Sequence, residues 1–196
     1  MSEAWIGFCG VLIGAFVALS KDIWLERRNR AKNAHYLAIR VVTLLDPFIE
    51  GCAAVASDDG LCEGYRNADD CLEPQVPEPT FDLHGLDVDW KSIPADFSYK
   101  ILNLPRLASK TTDRVNDAFS WDSPPLDQSM EYRREQYAAL GLKAADIASD
   151  LRKRYHLPSP DDGEWNPVEK MRQTIAVFEE RRQRYDRAAV SAESVE

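Results

Sequence analysis

Apolar residues recur three and four positions apart along most of the chain, the spacing of one face of an α-helix. The first such face follows an uncharged N-terminal run and consists of Ala34, Ala38, Val41, Leu45, Phe48, Cys52 and Val55. Pro47 interrupts it, so the pattern predicts a kink or a break near Asp46. We expect this helix to end in the sequence ASDDG at residues 56–60.

The helical pattern returns after residue 90 in four further segments. A start is predicted near Pro94 and a separate helix from Pro105, while the sequence SWDSPPLD at 120–127 predicts a break. A last helix should begin with Asn166 as cap and Pro167 in its first turn. The expected apolar faces are Ile93, Phe97 and Ile101; Leu104, Ala108, Thr111, Val115 and Ala118; Tyr137, Leu140, Ala144, Ile147 and Leu151; and Val168, Met171, Ile175, Phe178 and Tyr185. No segment has the pattern of a strand.

Residues 4–20 contain no charged residue and predict a transmembrane helix. Trp5 and Trp24 suit the two membrane interfaces, and Lys21 can extend its ammonium to the surface. A secretory signal would carry its basic residues before the apolar run, whereas here they follow it. A signal peptide cleaved near the sequence ALS at 18–20 remains the alternative.

Glycine is frequent in this apolar run, and the small residues fall on one helical face: Gly7, Gly10, Gly14 and Ala18. Gly10 and Gly14 form a GxxxG motif, which lets two helix backbones approach closely in lipid. The pattern favours a homo-oligomer formed through the transmembrane helix. The alternative is that these glycines have no role in association, since glycine is common in membrane helices generally.

Charge is distributed unevenly along the chain. The whole chain carries −9, yet residues 21–40 contain six basic and two acidic residues. We expect contacts to anionic lipid headgroups from Lys21, Arg27, Arg28, Arg30 and Lys32. Because the positive side of a membrane segment stays in the cytoplasm, the N-terminus should face outward and the remainder should face the cytoplasm, with the span in the inner (cytoplasmic) membrane. The acidic balance argues against a nucleic-acid partner.

Residues 58–89 hold several prolines and glycines and should form a long irregular acidic loop. Its carboxylates together with His84 could form a metal or acid–base cluster, although their spacing is equally typical of a solvated loop. Cys62, Cys71 and His84 lack the spacing of a zinc site. Cys52 should be a small core residue. The chain has no HExxH, GxSxG, P-loop or GxGxxG motif, so no catalytic residue, metal or cofactor is predicted.

Four short motifs occur in the part of the chain that is predicted to be helical: WKSIP at 90–94, ILNLP at 101–105, YAALG at 137–141 and LRKRYHLP at 151–158. With the glycine-rich N-terminal segment leading into an arginine-rich helix, they resemble a group of bacterial and prophage-borne, membrane-anchored helical proteins. The resemblance covers most of the chain. It implies a helical fold and a single-pass membrane location, with no established activity and no functional residue to transfer.

The sequence thus predicts an all-α protein with an N-terminal transmembrane helix, a long helix and a small antiparallel bundle. The expected divisions are an anchor (1–20), a basic juxtamembrane and first bundle helix (21–57), the acidic loop (58–89), the bundle (90–187) and a flexible tail (188–196). The favoured function is a membrane-tethered cytoplasmic interaction or scaffold protein, such as a sensor or a phage- or defence-related effector. The alternative is an enzyme or a small-ligand or metal-binding protein that uses the loop around His84.

Overall fold

The computed structural model describes the backbone of residues 2–160 and 165–193, and the side chains of these except 2–20, 22, 186 and 188–193. It contains four α-helices: α1 (Ser2–Ser57), α2 (Ala95–Trp121), α3 (Asp127–Tyr155) and α4 (Pro167–Glu193). A short 3₁₀ helix, Trp90–Ser92, precedes α2. No strand occurs within the described ranges. The all-α prediction is confirmed.

Helix α3 is the centre of the bundle and packs against α1, α2 and α4, while α4 also packs against α1. It runs antiparallel to α1, since Arg152 contacts Asp46 at one end and Arg133 contacts Asp58 at the other. At the crossing, a Cβ on Gly141 would come within 2.6 Å of Cβ of Cys52. A residue without a side chain therefore lets these helices approach closely, and the predicted helical bundle is confirmed.

The predicted apolar faces of the two central helices are buried. All seven positions named for α1 and all five named for α3 are at most 7% exposed. Cys52 is among them, as expected for a core residue, and burial raises the pKa of its thiol. Three-four spacing therefore identified the residues that form most of the core.

The separate helix predicted from Pro105 is wrong, and of the kink or break predicted near Asp46 the break does not occur. α1 continues through Pro47, and α2 continues through Pro105. A proline inside a helix removes one backbone hydrogen bond, and burial of apolar residues on either side can offset that cost. Phe48 and Ile49 are buried beside Pro47, and Ile101 and Leu104 are buried beside Pro105.

The last predicted apolar face is only partly correct. Asn166 caps α4 as expected, accepting a hydrogen bond from the backbone N–H of Glu169 (3.0 Å), and Met171 and Phe178 are buried. Tyr185, however, is 70% exposed. Arg181, one turn earlier, already pairs with Glu131 in the second turn of α3, so α3 offers little further surface to cover Tyr185. The predicted tail, 188–196, lies outside the residues whose side chains are described.

Residues 58–89 form no helix, as predicted, but they are fixed to the bundle by a buried ion pair. Arg133 and Asp58, each with a side chain only 2% exposed, are joined by a 2.9 Å contact between Nη1 and Oδ2. Asp58 also accepts hydrogen bonds from the backbone N–H groups of Gly60, Gln75 and Val76 (2.9–3.1 Å). Arg133 in turn donates to the carbonyl of Val76. Both charges are therefore satisfied by several partners, which a buried ion pair requires.

Within the part of the chain whose side chains are described, no helix carries an apolar stretch long enough to cross a membrane. The predicted anchor, residues 4–20, lies outside those side chains, as do Gly7, Gly10, Gly14 and Ala18.

Candidate membrane-facing surface

The first part of α1 extends beyond the bundle. Every described side chain from residue 21 to residue 33 is exposed, and burial begins at Ala34, which is 4% exposed. These 13 residues correspond to about 20 Å of helix. We call this stretch the basic segment, residues 21–33.

The basic segment presents both charged and apolar side chains. The five residues predicted to contact headgroups, Lys21, Arg27, Arg28, Arg30 and Lys32, are all exposed. Three large apolar residues, Ile23, Trp24 and Leu25, are also exposed, with Trp24 at 60%. The guanidinium of Arg28 lies 5.3 Å from the centroid of the Trp24 ring. Aromatic and cationic side chains side by side are typical of the membrane–water interface.

The 3₁₀ helix docks beside the start of the bundle. Arg30 donates from Nη2 to the carbonyl of Lys91 over 2.8 Å. Asp89 caps this turn by accepting from the backbone N–H of Lys91 (3.0 Å). The exposed side chain of Lys91 is thereby added to the end of the bundle from which the basic segment projects.

Helix α3 ends at the same end of the bundle. Its last turn is basic and contains Arg152, Lys153 and Arg154, a composition that suits the negative end of a helix dipole. Arg152 is neutralised by Asp46, to which it donates twice over 2.7 Å. Arg154 has no such partner among the described carboxylates, and its guanidinium lies 5.8 Å from the Phe97 ring centroid. Folding thus places a second source of positive charge next to the basic segment.

Sequence analysis missed Lys91 and Arg154 as members of this surface. Both lie more than 50 positions from the basic segment. The antiparallel packing of α3 on α1 brings Arg154 to it, and docking of the 3₁₀ helix on α1 brings Lys91. A signal was present, because basic residues in a last helical turn mark a C-terminus and an antiparallel neighbour must end near the start of its partner.

The alternative site around His84 is not assembled by the fold. The side chain of His84 is 97% exposed, and within the described part of the chain its polar contact is with Asp82, two residues away. The backbone N–H of His84, which donates to Oδ1 of Asp82 over 2.8 Å, lowers the pKa of that carboxyl. Among the described residues, no three His, Cys, Asp or Glu side chains converge as a metal site would require.

A cavity of about 440 Å³ lies between α1, the end of α3 and the start of α4. Its lining includes the Asp46–Arg152 pair, and Arg152 also donates from Nε to the carbonyl of Pro158 (3.0 Å). The most buried charges of this cavity therefore satisfy each other.

Comparison with known proteins returned no relative: no family model matches the chain, and neither a curated protein nor a solved structure is significantly similar to it. The resemblance to membrane-anchored prophage proteins stays a prediction.

Proposed function

We propose that the protein is a single-pass protein of the bacterial inner membrane whose helical bundle works in the cytoplasm as an interaction or scaffold module. The observation that carries this proposal is the continuity of α1 from Ser2 to Ser57. One helix joins the uncharged residues 4–20, the exposed basic segment and the core of the bundle, without a loop between them.

The dimensions of this helix fit a membrane. Residues 4–20 make about 25 Å of helix, and the hydrocarbon core is about 30 Å thick. Extending the span to Trp24 adds about 6 Å and places that indole at the interface. The basic segment then begins in the headgroup layer, where each Lys or Arg contributes about 1 kcal/mol of attraction to anionic lipid.

The charge distribution supports an inward-facing bundle. All the basic residues near the apolar run follow it, and the fold adds Lys91 and Arg154 to the same side. Basic residues near a membrane span are retained in the cytoplasm, so the C-terminal bundle belongs there.

The outer face of α1 supports self-association. Ala18, Leu25, Lys32 and Ile39 recur every seven residues, so they lie on one side of a continuous helix. In the bundle this side is directed away from the core, and Ile39 and its neighbour Tyr36 are exposed there. Two copies that pack through Gly10 and Gly14 would therefore bring these exposed faces together. A second protein could use the same face.

Alkaline carbonate extraction of bacterial membranes tests the anchor. The full chain should remain in the membrane pellet, and a variant with Leu12→Arg and Ile13→Arg should be released, because each charge at the centre of a span costs about 2.5–3.5 kcal/mol. Leu25→Arg, which adds its charge at the interface, is the matched control and should stay in the pellet. Release of the unmodified chain by carbonate would refute the proposal.

A further inference from the structure

A groove at the membrane-facing end of the bundle collects arginines from two helices. It has a volume of about 650 Å³ and lies between α1, the 3₁₀ helix, the start of α2 and the end of α3. Arg27 and Arg30 line it from α1 and Arg154 lines it from α3, with Ser92 and Tyr155 between them. No carboxylate is among its described lining residues. Three positive groups thus share one concave surface without a neutralising acid.

The three guanidinium groups retain donors for a ligand. Arg30 uses one N–H group to bind the carbonyl of Lys91, and a guanidinium has five. Arg154 contacts the face of Phe97, which leaves the edge of its guanidinium available. None of the three lies within 4.0 Å of a carboxylate whose position is described.

We infer that this groove binds the phosphate of an anionic lipid headgroup. A planar guanidinium matches two phosphate oxygens at once, which makes arginine better suited than lysine to hold a phosphate in a fixed position. The inference deepens the proposed function and rests on it, because the membrane tether is what brings lipid to the groove.

The depth of the groove agrees with a headgroup ligand. Along α1, Arg27 lies three residues beyond Trp24 and Arg30 lies six, which is about 4.5 Å and 9 Å of helix. The headgroup layer is about 5–8 Å thick on each side of the hydrocarbon core. If Trp24 marks the interface, Arg27 lies within that layer and Arg30 at its outer edge.

Diffuse electrostatic attraction between a basic surface and a membrane would give a different dependence of lipid binding on the individual arginines. In that case each exposed cation contributes equally wherever it lies. A groove instead makes binding depend on Arg27, Arg30 and Arg154 far more than on Arg28, which is equally charged and exposed but stands over Trp24 outside the groove.

Native mass spectrometry of the full chain in a non-ionic detergent measures this difference. Phosphatidylglycerol and phosphatidylcholine are titrated separately, and the affinity for the first bound lipid is compared among variants. Arg154→Gln and Arg27→Gln should each weaken phosphatidylglycerol binding about tenfold, the usual effect of losing one charge-assisted hydrogen bond. Arg28→Gln should change it less than about twofold, and phosphatidylcholine binding should not change. Arg27 is exposed outside the core, so its variant remains informative even if Arg154→Gln disturbs folding.

Glycerol 1-phosphate, titrated without lipid, separates a lipid from a soluble ligand. It should bind at least about a hundredfold more weakly than phosphatidylglycerol, because it lacks the acyl chains. Equal or tighter binding that is lost in Arg27→Gln would reject the lipid assignment in favour of a soluble phosphate. Equal losses in Arg28→Gln and Arg27→Gln, or no loss in either, would reject the groove. Release of the unmodified chain by carbonate would refute the membrane tether and with it the proposed function. If the chain stays in the membrane but Arg27→Gln does not change lipid affinity, only the lipid site in the groove is refuted.

Discussion

At the scale of single residues, Asp58 determines where the irregular part of the chain begins and how it is held. It follows the last residue of α1, and its carboxylate accepts four hydrogen bonds, three from backbone N–H groups and one from Arg133. Its neighbour Asp59 is exposed and accepts one bond, from the N–H of Leu61 (3.0 Å). Two adjacent residues of the same type therefore have very different environments, and they form a matched pair for mutation.

Asp58→Asn should lower the free energy of unfolding by about 3–5 kcal/mol, because it leaves the charge of Arg133 buried without its counter-ion. Asp59→Asn should cost less than about 1 kcal/mol. Urea unfolding of a fragment that begins near Asn33 and lacks the anchor measures both values. Equal, small effects at the two positions would contradict a buried ion pair, and a fragment that is disordered without mutation would contradict an autonomous bundle.

At the scale of elements, the sequence pattern identified which segments are helical, but it did not show that the helices continue through internal prolines. Val41, Leu45 and Cys52 could be assigned to the core because three-four spacing places them on one face. Pro105 suggested a break, and Pro47 a kink or a break, because the loss of one backbone bond is visible in a sequence, whereas the burial that offsets it depends on α3. The existence of α1 and α3 was thus predictable. The basic surface that the start of α1 forms together with the end of α3 was not.

Helix α1 also carries the prediction of self-association. Replacing Gly10 and Gly14 with Leu should weaken association of the full chain in detergent by at least about tenfold, because bulky side chains keep the two backbones apart. Sedimentation equilibrium measures the association constant, with Cys9→Leu and Phe16→Leu as a control on the opposite side of the helix. An unchanged constant in the glycine variant would show that these glycines do not form the contact.

At the scale of the whole molecule, the fold separates two ends of different character. One end carries the basic segment, Lys91 and Arg154, and the opposite end carries the buried pair of Asp58 and Arg133, where the loop begins. Part of the candidate membrane-facing surface could be predicted from the sequence. Sequence alone indicated the five cations of the basic segment, since they lie within twelve residues of one helix, while Arg154 joined them through a contact between distant segments.

A pair of charged residues that are far apart in the sequence, such as Arg133 and Asp58, cannot be recognised from the pattern around either residue. Arg133 does not belong to any apolar pattern, yet it is among the most buried large side chains because Asp58, 75 positions away, supplies its counter-ion. The groove of Arg27, Arg30 and Arg154 likewise requires the antiparallel packing of α3 on α1. Charge pairing and charge convergence are tertiary properties, whereas helix periodicity is a local one.

We propose above that α1 crosses the inner membrane and holds the bundle in the cytoplasm. Paired fusions after Glu196 test it most directly: a fluorescent protein that matures only in the cytoplasm, and a phosphatase that is active only in the periplasm. We expect membrane-localised fluorescence and no phosphatase activity, since the basic residues that follow the span are retained inside. Phosphatase activity without fluorescence, or fluorescence spread evenly through the cytoplasm, would contradict it.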